Sequence, residues 1–430
     1  MSPLMVCIVL FSIMLFLLFF NTPLVVAIGL PSALIMSFGL DLGLPTLAQR
    51  SLTSIDSFTL MAVPLFMLAG KIMECGGMSR RIVRMADCLI GWVSGGLAHV
   101  VVLSSAFFGA LTGSSVACCA AIGSVLIPEM IAKKYPASLV AGLQSVAAAL
   151  GVIIPPSISM IIYGVITGTS IGDLFIAGIM PGLFLSLCLM ITISITFKVK
   201  KIEVEHETFS WRKIFEAFKE SYLALIMPVI ILGGIYSGIF TPTEAGAVAC
   251  VYGFIICAFV YKEITWETLH EIFGGTITLT SFCMIIVTAS GAFSWLLVRS
   301  GVSGLLSDSI SSIAVNKVVF LILANLIFIA MGMFIEGICA ILMITPILMP
   351  TVYSLGIDPV HFGIMMIINI ALGLTTPPVG ENQYIASKIA GIPFEEEVRG
   401  SIPFLLTGYI ALAFITFVPQ ITLWLPNLLK

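Results

Sequence analysis

The sequence predicts an all-α polytopic membrane protein: an inverted-repeat transporter with about ten spans, two re-entrant hairpins and two helices broken at Pro-Pro pairs. Three observations lead there. The composition suits a chain whose solvent is lipid. Two of its long apolar stretches are interrupted by small and polar residues. Landmarks around those interruptions recur at one fixed offset.

Of 430 residues, 59% are hydrophobic and 10% charged, and the mean hydropathy is +1.17. A soluble domain carries about 25% charged residues. The 19 basic and 22 acidic side chains here cannot cover a soluble surface of this size. That excludes the soluble enzyme folds, and a net charge of −3 without a basic, aromatic-interleaved face excludes a nucleic-acid partner. The ten cysteines form no C-x-x-C pair. Cys118 and Cys119 are neighbours and the others lie in apolar surroundings, where cysteine behaves as a small hydrophobe. The first 20 residues lack a basic leader, since the first Lys or Arg is Arg50. They read as the first span, not as a signal peptide.

A span takes about 20 apolar residues. Runs at 4–20, 24–39, 56–73, 138–166, 174–197, 222–238, 244–261, 270–298, 361–388 and 401–418 meet or approach that length. The stretches 91–132 and 318–350 are broken by Gly109-Ala-Leu-Thr-Gly-Ser-Ser115 and Gly332-Met-Phe-Ile-Glu-Gly337, and are expected to be hairpins. Irregular backbone at membrane depth survives only against protein or a polar cavity. The organisation expected is segments 1–55 and 56–197, a cytoplasmic amphipathic linker at 198–221, and segments 222–269 and 270–430. No Gly-x-x-x-x-Gly-Lys-Ser/Thr loop is present, so ATP is not expected to drive the chain directly.

Basic residues favour cytoplasmic loops. With the N-terminus outside, Lys71, Arg80, Arg81, Arg84, Lys133, Lys134, Lys198, Lys200, Lys201, Arg212, Lys213, Lys219, Lys262, Lys388 and Arg399 fall inside. Only Arg50, Arg299, Lys317 and Lys430 fall outside. The N-terminus is therefore expected on the non-cytoplasmic side.

The offset is 222 residues: Pro128 and Pro350, Gly151 and Gly373, Pro155 and Pro377, Pro156 and Pro378, Pro181 and Pro403. In the topology above the two halves run in opposite directions through the membrane. Paired broken helices in inverted halves point to a secondary transporter with its sites near the midplane. A kinked structural helix accounts for one such break but not for two at matched positions.

A proline removes a backbone donor and frees the carbonyl one turn back. Freed carbonyls in hydrocarbon suit a hard cation. One sodium site is expected from Gly113, Ser114, Ser115, Ile154, Pro155 and Ser157, and a second from Gly332, Gly337, Thr375, Thr376 and Pro378. Helix packing through small residues is the competing reading. The candidates for substrate binding or coupling are Ser115, Ser157, Glu336, Val379, Gly380, Glu381 and Asn382. An ionisable group at membrane depth is functional by default, although Glu381 could sit in a wetted vestibule. The half-helix N-termini expected at Ser157 and Val379 offer a positive dipole end to an anion. Thr241-Pro-Thr-Glu244 reads as a structural capping box. Arg80, Arg81 and Arg84 are expected to face lipid headgroups. His99, His206, His270 and His361 do not cluster, and no transition-metal site or catalytic grouping is expected.

These residues resemble a known family, the large membrane subunit of tripartite ATP-independent periplasmic (TRAP) transporters. The resemblance rests on Gly109–Ser115, Ile154-Pro-Pro-Ser157 with Tyr163-Gly-Val, Leu174-Phe-Ile-Ala-Gly-Ile-Met-Pro-Gly182, and Phe240-Thr-Pro-Thr-Glu-Ala-Gly-Ala247. It continues through Thr345-Pro-Ile-Leu-Met-Pro350, Gly356-Ile-Asp-Pro359 and Thr375-Thr-Pro-Pro-Val-Gly380. Glu381-Asn-Gln departs from it, because the family more often has an apolar or small residue after the glycine. The resemblance implies a sodium-driven, elevator-type importer of an organic acid, such as a C4-dicarboxylate or sialic acid, in a bacterial inner membrane, with scaffold helices at 1–55 and 222–269 and transport elements at 56–197 and 270–430. It implies a small four-helix membrane subunit and a periplasmic substrate-binding protein as partners, and no nucleotide. A stand-alone sodium-coupled carboxylate symporter of the same architecture is the alternative. A membrane enzyme would need polar groups clustered at the interface, and a channel would not need paired inverted hairpins.

Overall fold

The computed structural model describes residues 1–430 except 21, 203–208, 306–315 and 430. The described residues are helical almost throughout, as lipid requires: a helix satisfies its own backbone donors and acceptors. The first half comprises α1 (Pro3–Phe19), α2 (Leu24–Leu34), α3 (Gly43–Ile55), α4 (Ala62–Cys75), α5 (Met78–Ile90), α6 (Gly96–Thr112), α7 (Ser115–Ala132), α8 (Ala137–Ala147), α9 (Leu150–Ile153), α10 (Ile158–Thr167) and α11 (Ile171–Lys200). The second half comprises α12 (Trp211–Tyr236), α13 (Pro242–Ile255), α14 (Trp266–Arg299), α15 (Lys317–Gly332), α16 (Gly337–Ser354), α17 (Pro359–Gly373), α18 (Glu381–Ala390), α19 (Phe394–Phe417) and α20 (Gln420–Leu429).

Among the described residues, eight helices are long and apolar enough to cross a membrane. There are nine if the bent pair Ala137–Ile153 and Ile158–Thr167, inclined by 43°, is one span. The expected count of about ten does not transfer directly. Pro3–Phe19 and Leu24–Gly39 fall short in length, while Ser115–Ala132 and Gly337–Ser354, expected as hairpin arms, are long enough. The expected boundary at 221 is crossed by α12, which runs unbroken from Trp211 behind a Ser210 cap.

The 222-residue offset reappears in the helices themselves. α7 and α16 each have 18 residues and start at Ser115 and Gly337. α10 and α18 have ten residues each. The pairing of helices is reciprocal. α7 packs on α18 while α16 packs on α10, and α8 packs on α19 while α17 packs on α11. α13 lies against α4, and α2 against α14. Each half thus completes the other.

Two glycine pairs bring each hairpin close to its broken helix. A Cβ on Gly109 of α6 would meet the Leu150 carbonyl and the Gly151 Cα at 2.8 and 2.9 Å. A Cβ on Gly332 of α15 would lie 2.9 Å from the Gly373 Cα. Each first hairpin arm therefore touches the inner part of its own broken helix, backbone to backbone. Gly274 of α14, in contrast, has nothing within 4 Å of where a Cβ would be.

Gly332→Val should lower stability by about 1–3 kcal/mol through overpacking. Gly274→Ala should raise it by up to about 1 kcal/mol, the helix-propensity gain. Thermal unfolding of the purified variants reads both, and equal midpoints would show that the backbone contact at Gly332 is not tight.

Candidate transport site

The first hairpin turns at two residues. Gly113 closes α6 in the left-handed region, at φ +62°, with its N–H donating to the Gly109 carbonyl at 3.0 Å. Ser114 is extended, and its hydroxyl accepts from the Ala117 N–H at 3.3 Å, capping α7. The tip rests on the first break, because a Cβ on Gly113 would sit 2.7 Å from the Pro156 carbonyl oxygen and 3.2 Å from the Ser157 Cα. At that break α9 ends at Ile153, and Ile154, Pro155 and Pro156 carry the chain to Ser157 at the start of α10. Ser157 does not cap α10 with its side chain. Its buried hydroxyl has no hydrogen-bond partner among the described residues.

The second hairpin turns across 333–336. Glu336 caps α16, with Oε2 accepting from the Cys339 N–H at 3.2 Å. Gly337 opens that helix against Ile370, whose Cγ2 lies 3.1 Å from where its Cβ would be. The second break is longer than the first, covering 374–380 against 154–157. Thr375 and Thr376 each donate to the Leu372 carbonyl at 2.7 Å, and the Thr376 hydroxyl also lies 2.9 Å from the Tyr409 hydroxyl. Both hydroxyl protons have local acceptors, which leaves the threonine lone pairs for any further partner. Beyond Pro378 the chain reaches Gly380, the cap position of α18, in the left-handed region at φ +51°. The half-helix expected to start at Val379 therefore starts at Glu381, and Val379 is exposed.

A cavity of about 320 Å³ lies between the tips. Gly113, Ser114, Ser115, Ile158, Glu336, Gly337 and Glu381 line it, together with Lys71 and Glu74 of α4. Lys71 and Glu74 pair with each other at 2.9 Å. A second cavity of about 600 Å³ shares Glu336 and Glu381 as walls and adds Gly332, Val379 and Gly380. Of the expected residues, Ile154, Pro155, Ser157, Thr375, Thr376, Pro378 and Asn382 line neither cavity and stand behind the tips. The N-termini of α7 and α10 open on the smaller cavity with their positive dipole ends. Glu336 and Glu381, at the N-termini of α16 and α18, line it as well.

Asn382 is fully buried. It donates to the Ser115 hydroxyl at 2.5 Å and to the Ser145 carbonyl at 3.4 Å, tying α18 to the first hairpin. Behind it lie residues the sequence reading did not single out: Gln144, Ser145, Gln383, Glu397 and Ser401, all fully buried. The available signal was periodicity. Glu397, Ser401, Phe404, Leu405 and Gly408 follow helical spacing and share the buried face of α19, which starts at Phe394 and not at 401.

Away from the cavities, Thr241 and Glu244 form a reciprocal capping box. The Glu244 N–H donates to the Thr241 hydroxyl at 3.3 Å, and the Thr241 N–H donates to Glu244 Oε2 at 2.8 Å. Arg81 and Arg84 are not simply presented to headgroups. Arg81 pairs with Glu263 at 2.7 Å and lies over the Tyr261 ring, and Arg84 pairs with Glu220 at 2.5 Å. His361 is 2.8 Å from the Thr422 hydroxyl and His99 is 3.4 Å from the Ser194 hydroxyl; His206 lies outside the described residues. Among the described residues no cluster of three or more His, Cys, Asp or Glu side chains is placed to hold a metal ion.

Paired hairpins and broken helices around a cavity with a few polar groups in a mainly apolar lining define a multi-pass membrane transporter component. The profile of the family "Tripartite ATP-independent periplasmic transporter, DctM component" matches residues 7–421, and the chain belongs to that family. It is a transporter permease and not an enzyme. It is 39% identical to the sialic acid TRAP transporter large permease protein SiaM of Vibrio cholerae, over 90% of each chain. It is 38% identical to the C4-dicarboxylate TRAP transporter large permease protein DctM of Pseudomonas aeruginosa, over 93% of this chain and 94% of that one. It is 36% identical to the isethionate TRAP transporter permease protein DctMQ of Oleidesulfovibrio alaskensis, over 97% of this chain and 66% of that longer one. In fold it is similar to the Alcanivorax borkumensis YdaH transporter, with a TM-score of 0.62 and 15% identity over 90% of this chain and 91% of the other.

Thr241→Ala should cost about 1 kcal/mol of stability, the usual value of an N-cap, and leave transport unchanged. Thermal unfolding beside uptake measurements checks this. A transport defect at unchanged stability would move Thr241 from the frame to the site.

Proposed function

We propose that this chain is the large membrane subunit of a sodium-coupled TRAP importer for an organic acid, working by an elevator movement of its hairpins and broken helices. The acid belongs to the carboxylate class carried in the names of its relatives: sialic acid, C4-dicarboxylate and 2,3-diketo-L-gulonate. The transporter sits in a bacterial inner membrane with its N-terminus on the periplasmic side. It works with a small four-helix membrane subunit and a periplasmic substrate-binding protein, and the longer DctMQ relative is consistent with a small partner. Sodium is the co-transported ion, held by the backbone and hydroxyls at the two tip-and-break junctions.

The observation that carries the reading is the junction at Ser157. Its hydroxyl is buried beside a hairpin tip with no protein partner. An unpaired hydroxyl in the interior is costly unless it serves a ligand. The substrate carboxylate belongs at the N-termini of α7 and α10, which line the smaller cavity.

Ser157→Ala separates ion binding from packing by sign. If the residue only packs, removing an unpaired hydroxyl leaves sodium dependence unchanged and stability equal or higher. If it holds sodium, losing about 1.4–2.8 kcal/mol raises the sodium needed for half-maximal uptake about 10- to 100-fold. Substrate affinity falls with it, since coupling is reciprocal. Uptake is measured in liposomes containing both membrane subunits and the binding protein. Robust uptake by this chain alone would favour a carrier that needs no binding protein.

The orientation is tested separately. Single cysteines placed at Arg80 and Lys200 in a cysteine-free variant should react only with reagents supplied from the cytoplasmic side. Labelling of either from outside reverses the topology.

A further inference from the structure

Behind the first hairpin, on the far side of Asn382 from the cavities, lies a polar cluster with too many acceptors. α8 and α19 touch there backbone to backbone, since a Cβ on Gly142 would lie 2.6 Å from the Ser401 Cα. The contact brings Ser145 onto Glu397, and the serine hydroxyl donates to Glu397 Oε1 at 2.6 Å. Glu397 is fully buried, its Oε2 receives no hydrogen bond from a described residue, and no cationic side chain among them pairs with it. Three amide oxygens are also buried and unpaired: those of Asn382, Gln383 and Gln144.

Two of the amides cannot relieve this by turning over. Asn382 donates to the Ser145 carbonyl, and Gln144 donates to the Cys118 carbonyl at 3.5 Å. Both partners are pure acceptors, so nitrogen must face them and oxygen faces away. Gln383 donates to the Ser401 hydroxyl at 2.9 Å, a group that fits either orientation of the amide, so its neighbours decide which atom it turns to them.

We propose that Glu397 Oε2, with the side-chain oxygens of Asn382, Gln383 and Gln144, forms a buried binding site for a monovalent alkali cation, distinct from both tip-and-break junctions. Charge selects the class. One carboxylate and three neutral oxygens are balanced by one positive charge, whereas a divalent ion would leave net charge in the core. Oxygen ligands suit a hard ion. Position gives the site a role: Ser145 and Asn382 belong to different halves, and Asn382 also holds Ser115 of the first hairpin. An ion here would lock α8, α18 and α19 together behind the hairpin.

The test is sodium binding, not transport. Radioactive sodium is titrated onto the purified full-length chain in nanodiscs. Glu397→Gln keeps the size of the side chain and an acceptor for Ser145, and should bind one sodium fewer at saturation than wild type. Glu397→Asp keeps the charge but draws it back. It should retain the full count with about tenfold or more weaker affinity for one ion, about 1.4 kcal/mol, and it covers the case in which the glutamine variant does not fold. An unchanged count in folded Glu397→Gln, unchanged affinity in Glu397→Asp, or no bound sodium in wild type overturns the site. The junction reading fails independently: if Ser157→Ala changes nothing while Glu397→Gln still removes one ion, sodium binds here and not at the hairpin tip.

Discussion

A helix can be interrupted inside a membrane only where protein covers the interruption. Lipid offers no hydrogen bonds, so each exposed backbone polar group there costs several kcal/mol, about the price of a buried polar group elsewhere. This chain interrupts two helices at Pro-Pro pairs and covers both with its hairpins. The first tip lies on its break, Gly113 against Pro156 and Ser157, and the second hairpin meets the helix just before its break, Gly332 against Gly373. The small residues follow from the covering. Any side chain at Gly109 or Gly332 would hold the arm away from the broken helix and open a gap in lipid. The cavity between the tips follows too, because two blunt turns meeting near two breaks cannot fill the space as straight helices would.

The same constraint accounts for the exchange of partners between the halves. A short half-helix such as α10 or α18, ten residues long, cannot cover itself. Each is packed by the long hairpin arm of the opposite half, α16 on α10 and α7 on α18. The scaffold follows the pattern, with α13 on α4 and α2 on α14. Neither half has a complete core alone, which explains why the repeat recurs in helix lengths and starting points while few residue identities are shared beyond glycine and proline.

How much of this was legible in the sequence depends on what each residue reports. Proline and glycine report backbone geometry directly, so Pro155, Pro377, Gly113 and Gly332 marked the breaks and tips with no knowledge of packing. Thr241 and Glu244 were legible for the same reason, since a capping box is local. The start of α18 was not. Val379 follows Pro378 as Ser157 follows Pro156, but the left-handed turn at Gly380 delays the helix to Glu381, and the repeat did not anticipate a longer second break. The Glu397 cluster was missed because Glu395, Glu396 and Glu397 look like a solvated run before a span. Only the close contact of Gly142 with Ser401, between residues more than half the chain apart, turns the third glutamate inward. Arg81 and Arg84 were misread in the same way: their partners Glu263 and Glu220 are distant in sequence, and nothing local announces them.

The polar links between the halves also constrain what can move. Asn382 of α18 holds Ser115 at the start of α7 and the Ser145 carbonyl of α8, and Ser145 in turn holds Glu397 of α19. These bonds are buried, and separating them would strand an amide, a hydroxyl and a carboxylate in an apolar interior at a cost of about 1–3 kcal/mol for each neutral group and more for the charge. Sliding α7 past α18 is therefore opposed far more strongly than moving the two together. The contacts that would have to change in a rigid displacement are of another kind. α13 meets α4 through small and apolar side chains, with Leu65 and Phe66 against Gly246, and α2 meets α14 where Gly29 faces Ala289. The polar link there is a weak one, the Cys250 thiol of α13 donating to the Leu65 carbonyl of α4 at 3.0 Å. The bonds through Asn382 and Ser145 thus tie α7, α8, α18 and α19 to one another across the two halves, where the contacts of α13 with α4 and of α2 with α14 are mostly apolar.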